Sequence, residues 1–71
     1  MASAGFGRKE AARRIGHFVR GAHRLAITSA SLAALLGLVE EECHAVLEAM
    51  AATGMLRKEA RGLEPPLYCK D

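Results

Sequence analysis

From Arg8 onward the apolar residues Ala12, Ile15, Val19 and Ala22 recur at helical spacing on one stripe, which Phe18 widens. The arginines between them fall largely off that stripe. Gly16 weakens this first helix, and Gly21 marks its fraying end. Residues 1–7 carry two glycines and no period, so they read as a flexible lead-in, with 8–71 as the folded domain. Leu25, Ala26 and Ile27 form a short apolar segment suited to a strand. Thr28 and Ser29 then offer N-cap hydroxyls to a second helix that carries Leu32, Leu35 and Leu36 and stops at Gly37. A turn through Leu38 and Val39 leads to a third helix, from 40 to about 53, with Cys43, Val46, Leu47 and Met50 on its buried stripe. Glu40, Glu41 and Glu42 fill its first turn, where the helix dipole favours negative charge, and Gly54 ends it.

After Gly54 the pattern becomes extended. Residues 55–59 read as a strand, 60–64 as a loop, and Leu67, Tyr68 and Cys69 as a returning strand. Pro65 and Pro66 close the loop, because proline lacks a donor and suits a strand's start better than its interior. Two amphipathic helices about a Gly-centred turn make a helix-turn-helix. The terminal hairpin adds a wing, and the segment around Ile27 can pair with it. The expected fold is α+β: a small winged helix-turn-helix, three helices with a short β-hairpin wing.

Length and composition narrow this further. At 71 residues the chain holds one domain with a small core. Half of it is hydrophobic (51%) and only two residues are proline, which favours folding over disorder. Aromatics are limited to Phe6, Phe18 and Tyr68, so aliphatic residues must build the core. No apolar run approaches the roughly 20 residues that cross a bilayer, so no membrane partner is expected. Cys43 and Cys69 could form at most one bridge, no secretory signal precedes them, and Cys43 sits on a helical apolar stripe. An intracellular, reducing setting follows, nuclear or cytoplasmic. The Arg-rich start also has the composition of an organelle transit peptide, but the same stretch supplies core residues. Charge is split along the chain: residues 1–24 hold six lysines and arginines against one glutamate, residues 25–71 four against seven acids.

The stretches Glu42-Cys43-His44-Ala45-Val46-Leu47, Gly54-Met55-Leu56-Arg57-Lys58-Glu59-Ala60 and Gly62 with Pro65-Pro66-Leu67-Tyr68 resemble the Z-DNA and Z-RNA binding winged helices, the Zα domains. The resemblance covers the C-terminal 30 or so residues. It implies that the third helix and the wing prolines face a left-handed phosphate backbone. Pro65, Pro66 and Tyr68 stand where that family has its wing prolines and its tryptophan, which implies a ring contact by Tyr68. His44 replaces an asparagine that contacts phosphate, Glu48 a tyrosine that packs on the nucleic acid, and Glu40 and Glu41 lysines. The wing carries one extra residue before Pro65.

Those departures weigh against the usual surface, because affinity for nucleic acid comes mainly from phosphate neutralisation by Lys and Arg. The outward positions of the third helix, Glu41, His44, Ala45, Glu48 and Ala52, hold no permanent cation. Backbone contacts are therefore expected from the wing (Arg57, Lys58, Arg61) and from the first helix, where Arg8, Lys9, Arg13, Arg14, Arg20 and Arg24 lie. The expected partner is double-stranded nucleic acid, Z-form-prone DNA or RNA. The alternative is a protein-interaction module, with Glu41, Ala45, Glu48 and Ala52 at the contact and the basic first helix meeting the acidic third helix of another copy. No metal or cofactor is expected, since Cys43, His44 and Cys69 follow no ligand spacing. Enzymatic function is rejected: the glutamates are adjacent rather than convergent, and Ser29 and Ser31 read as capping residues.

Overall fold

The computed structural model describes residues 7–70 as α1 (Gly7–Gly21), β1 (Leu25–Ile27), α2 (Ser29–Leu36), α3 (Glu40–Ala52), β2 (Arg57–Arg61) and β3 (Glu64–Lys70). The three helices and the three-stranded antiparallel sheet make the expected α+β winged helix-turn-helix. The expected lead-in lies outside the described residues except for Gly7, which opens α1. In α1 the buried row is Ala11, Ile15 and Val19, while Ala12 is exposed. Alanines at both 11 and 12 leave this small rotation of the helix undecided by spacing alone.

Local chemistry sets the helix ends. Thr28 caps α2, its hydroxyl accepting the Ser31 N–H at 3.1 Å. Gly37 ends α2 with φ +70, which lets the N–H groups of Gly37 and Leu38 both reach the Ala33 carbonyl. A residue with a Cβ would be strained there. Of the three leucines that α2 carries, Leu32 is fully buried but Leu35 is 61% exposed, and Ala33 completes the buried side. In α3, Cys43, Val46 and Leu47 are buried and Met50 packs partly against them.

The sheet order is β1-β3-β2, with Ile27 opposite Tyr68 and Tyr68 opposite Lys58. The first wing strand lies further along than expected, and the loop contracts to Gly62 and Leu63. Gly62 has φ +67 and no non-glycine residue described has positive φ, the pattern of a type II′ hairpin turn. Both prolines lie inside β3 rather than before it. The ladder tolerates them because β1 pairs only with residues 68–70 and the β2–β3 register shifts between Glu59 and Arg61. The core gathers Ile15, Val19, Leu32, Cys43, Leu47, Leu56 and Tyr68 into one cluster. Each fully buried aliphatic side chain there contributes about 1.5–3 kcal/mol. Among the described residues no helix is long and apolar enough to cross a membrane.

Candidate functional site

Tyr68 carries the junction between wing and third helix. From the central strand, where it pairs with both neighbours, it places its ring inward beneath α3, where it is the largest fully buried side chain. Its hydroxyl donates to Glu48 Oε2, and Lys58 Nζ reaches the same oxygen at 2.6 Å. The Lys58 ammonium and the Tyr68 hydroxyl hold the Glu48 carboxyl below its usual range. Burial, reinforced by the Glu48 charge, pushes the Tyr68 phenol up to about 12. The resemblance implied a ring contact by Tyr68, but the ring has no exposed face to stack on. Glu48, expected as an outward, repulsive carboxylate, is an anchor whose charge Lys58 offsets. A tyrosine or tryptophan at the wing position and a polar residue at 48 signal this contact only once the strand register is known.

The wing cations are engaged locally. Arg57 pairs with Glu59 at 3.5 Å, and Arg61 with Glu64 at 3.3 Å. Arg61 also donates to the Pro65 carbonyl at 2.9 and 3.1 Å, so the proline pair helps to position a cation. Such exposed pairs are weak and exchangeable, each contributing about 0–1 kcal/mol. In α1, Glu10 takes both Arg13 and Arg14, which hold its carboxyl low. Arg14 also donates to the Leu36 carbonyl at 3.3 Å, and Lys70 to the Val19 carbonyl at 2.7 Å. These two cations satisfy the C-terminal ends of α2 and α1, where the helix dipole favours positive charge. Among the described residues, Lys9, Arg20 and Arg24 take part in no ion pair.

The strand register collects the cations that the sequence leaves scattered. Ala26, Cys69 and Arg57 lie in one row across the sheet, followed by Leu67 opposite Glu59. Side chains of one row share a face, here the face turned away from the helices. They line an open groove of about 440 Å³ together with Arg24, Leu25 and Lys70. Among the described residues, Arg24 and Arg57 bring their cations to this groove beside the Glu59 carboxylate, over an apolar floor, while Lys70 turns its ammonium to the Val19 carbonyl. Lys70 pairs with Leu25 on the Tyr68 side of the sheet, the face turned to the helices.

The face of α3 has a different character. His44 is exposed and shares a recess with Ser29, Glu40 and Glu41. Ala52 is exposed and Ala45 half-buried. On its α1 side, Ala45, Val46, Ala49, Met50 and Thr53 combine with Ala12 and Met55 in an apolar groove of about 390 Å³. Cys43 is a core thiol whose pKa burial raises, with Glu42 and Glu40 adding to the shift. One Glu42 carboxylate oxygen is buried without a hydrogen-bond partner. Among the described residues no group of His, Cys, Asp and Glu is arranged to hold a metal ion.

The fold and these two surfaces define a winged helix-turn-helix with a basic sheet face and an acidic third helix. No protein-family model, curated protein or solved structure matches the chain.

Proposed function

We propose that this is a nucleic-acid-associated winged helix of Zα-like type that grips a sugar–phosphate backbone by its basic sheet face and the end of α1, not by α3. The observation that carries the reading is the groove on the outer sheet face that brings Arg24 and Arg57, 33 residues apart in the chain, side by side over an apolar floor. Arg20, exposed in the last turn of α1, adds a further cation near the end of that helix. Backbone contacts of this kind read shape rather than base sequence. Arg57, like Arg13, Lys58 and Arg61, must leave a glutamate to meet a phosphate, so Arg24 is the leading contact and these four follow it. His44, Pro65, Pro66 and Tyr68, which the family resemblance brought forward, have no gripping role here.

Titration of B-form, Z-prone and RNA duplexes over a salt series tests the reading. Two phosphate contacts give a slope of log K against log salt of roughly −2. Arg24→Glu should weaken binding about tenfold at low salt, whereas Glu41→Lys should strengthen it modestly. Absence of binding at low salt, or binding indifferent to Arg24→Glu, rejects the proposal. The rival reading, a protein-docking surface bordered by Glu41, Ala45, Glu48 and Ala52, draws on the apolar groove between α1 and α3.

A further inference from the structure

We infer that the groove between α1 and α3 is covered by a second copy of this chain, related by a two-fold axis that runs along the groove. The inference rests on the protein-docking reading of that face and uses a surface apart from the cationic sheet groove. The floor is apolar: Ala12 from α1, then Ala45, Val46, Ala49 and Met50 from α3, closed at one end by Met55. Met55 is 48% exposed, so a large flexible apolar side chain stands in solvent at the groove's edge.

The two rims carry opposite charge. On the α1 side, Lys9 lies one turn before Ala12 and Arg13 directly after it, and both are exposed. On the α3 side, Glu41 lies one turn before Ala45 and Glu48 one turn after it. Glu41 has no ion pair among the described residues, and Glu48 shares its charge with Lys58. A two-fold axis along a groove exchanges its left and right rims between copies. The basic rim of each copy then lies over the acidic rim of the other, and every favourable contact occurs twice. An axis across the groove would set like charges together.

The rims therefore select the partner and the orientation: another copy, with the α3 helices parallel. A minimal specific interface of about 600–800 Å² per partner is roughly a sixth of this domain's 4633 Å² surface. Both basic sheet faces remain outside the contact, so the dimer is bivalent for a polyanion.

Sedimentation equilibrium from about 10 µM to 1 mM protein, at low and high salt, tests the inference in the range where small interfaces associate. A monomer–dimer equilibrium that weakens with salt is expected. Ala49→Glu, at an exposed helical position, should raise the dissociation constant about tenfold or more while circular dichroism stays unchanged. Lys9→Glu alone and Glu41→Lys alone should each raise it about fivefold, because each change enters a dimer twice.

Mixing the two single variants is the decisive step. In the mixed dimer both rim pairs are complementary again, so association should return to the parent level, which no intramolecular pairing can produce. A monomer at the highest concentration in low salt overturns the inference. So does a mixture that associates no better than either variant alone. Dimerisation insensitive to Ala49→Glu moves the interface off this groove and also overturns it. The nucleic-acid titration reads a different surface, so its outcome stands apart from this one.

Discussion

α1 and α3 are helices of similar length that pack against each other with alanines at the seam, yet their charges are opposite and have different causes. In α3 the three glutamates sit in the first turn, where they interact favourably with the exposed N–H groups of their own helix. Their charge has a local reason and by itself says nothing about a ligand. In α1 Arg20 lies in the last turn, Lys9 sits in the first turn, where the dipole disfavours cations, and Arg13 and Arg14 lie mid-helix, beyond its reach. Glu10 offsets two of them. The excess remains, and helix stability does not require it. A charge set against its own dipole is better testimony to an external partner than one that agrees with it.

If the two helices differ in surface and not in structural weight, truncating their cores should cost the same. Ile15→Ala in α1 and Leu47→Ala in α3 each remove a fully buried side chain and should each cost about 2–5 kcal/mol. That is comparable with the whole stability of a small domain, so both variants should be largely unfolded in chemical denaturation. A loss below about 1 kcal/mol in one of them would break the equivalence.

The next effect belongs to the contact that only α3 makes. Tyr68→Phe removes the hydroxyl from Glu48 and should cost about 0.5–1.5 kcal/mol at neutral pH, measured by denaturant midpoint. The phenol is raised from 10 to about 12 in the folded protein. A raised folded value means that the stabilisation is complete below pH 10 and is lost as pH climbs toward 12. Because Tyr68 is the one tyrosine of the chain, its phenolate absorbance reports this titration without overlap. A midpoint near 10 in the folded protein would place the ring in water.

The smallest effect sharpens the contrast at the acid end. Glu48 has a lowered folded pKa, so its contribution is present above the ordinary carboxylate value near 4.5 and fades as pH falls through the folded one. Glu48→Gln should flatten the acid limb of the stability profile and leave the alkaline limb largely in place. The change is modest, since Glu48 and Lys58 both remain over a third exposed and solvent screens the pair. Glu10→Gln in α1, also with a lowered pKa, should flatten the same limb without moving Tyr68.

Much of the fold was legible because it depends on neighbours in sequence. The stop at Gly37, the Thr28 cap and the Cys43–Val46–Leu47 face follow from local chemistry, and all are present. Misreadings occurred where tertiary contacts decide. Ala11 and not Ala12 faces the core, and the two prolines lie within a strand whose ladder happens to be open there. The site was less legible than the fold. Arg24 and Arg57 are far apart in the chain, and their charges gained meaning only from the register of three strands.

The sequence by itself determined the element order, the winged helix-turn-helix and the separation of a basic start from an acidic middle, since periodicity, caps and charge are properties of short stretches. The tertiary structure alone decided which charges are spent within the molecule. Glu48 meets Lys58 and Tyr68, and Lys70 meets the end of α1, through contacts that span up to 51 positions of chain. A charge's partner depends on distance in space, and spacing along a chain does not encode that distance beyond a helical turn or a strand.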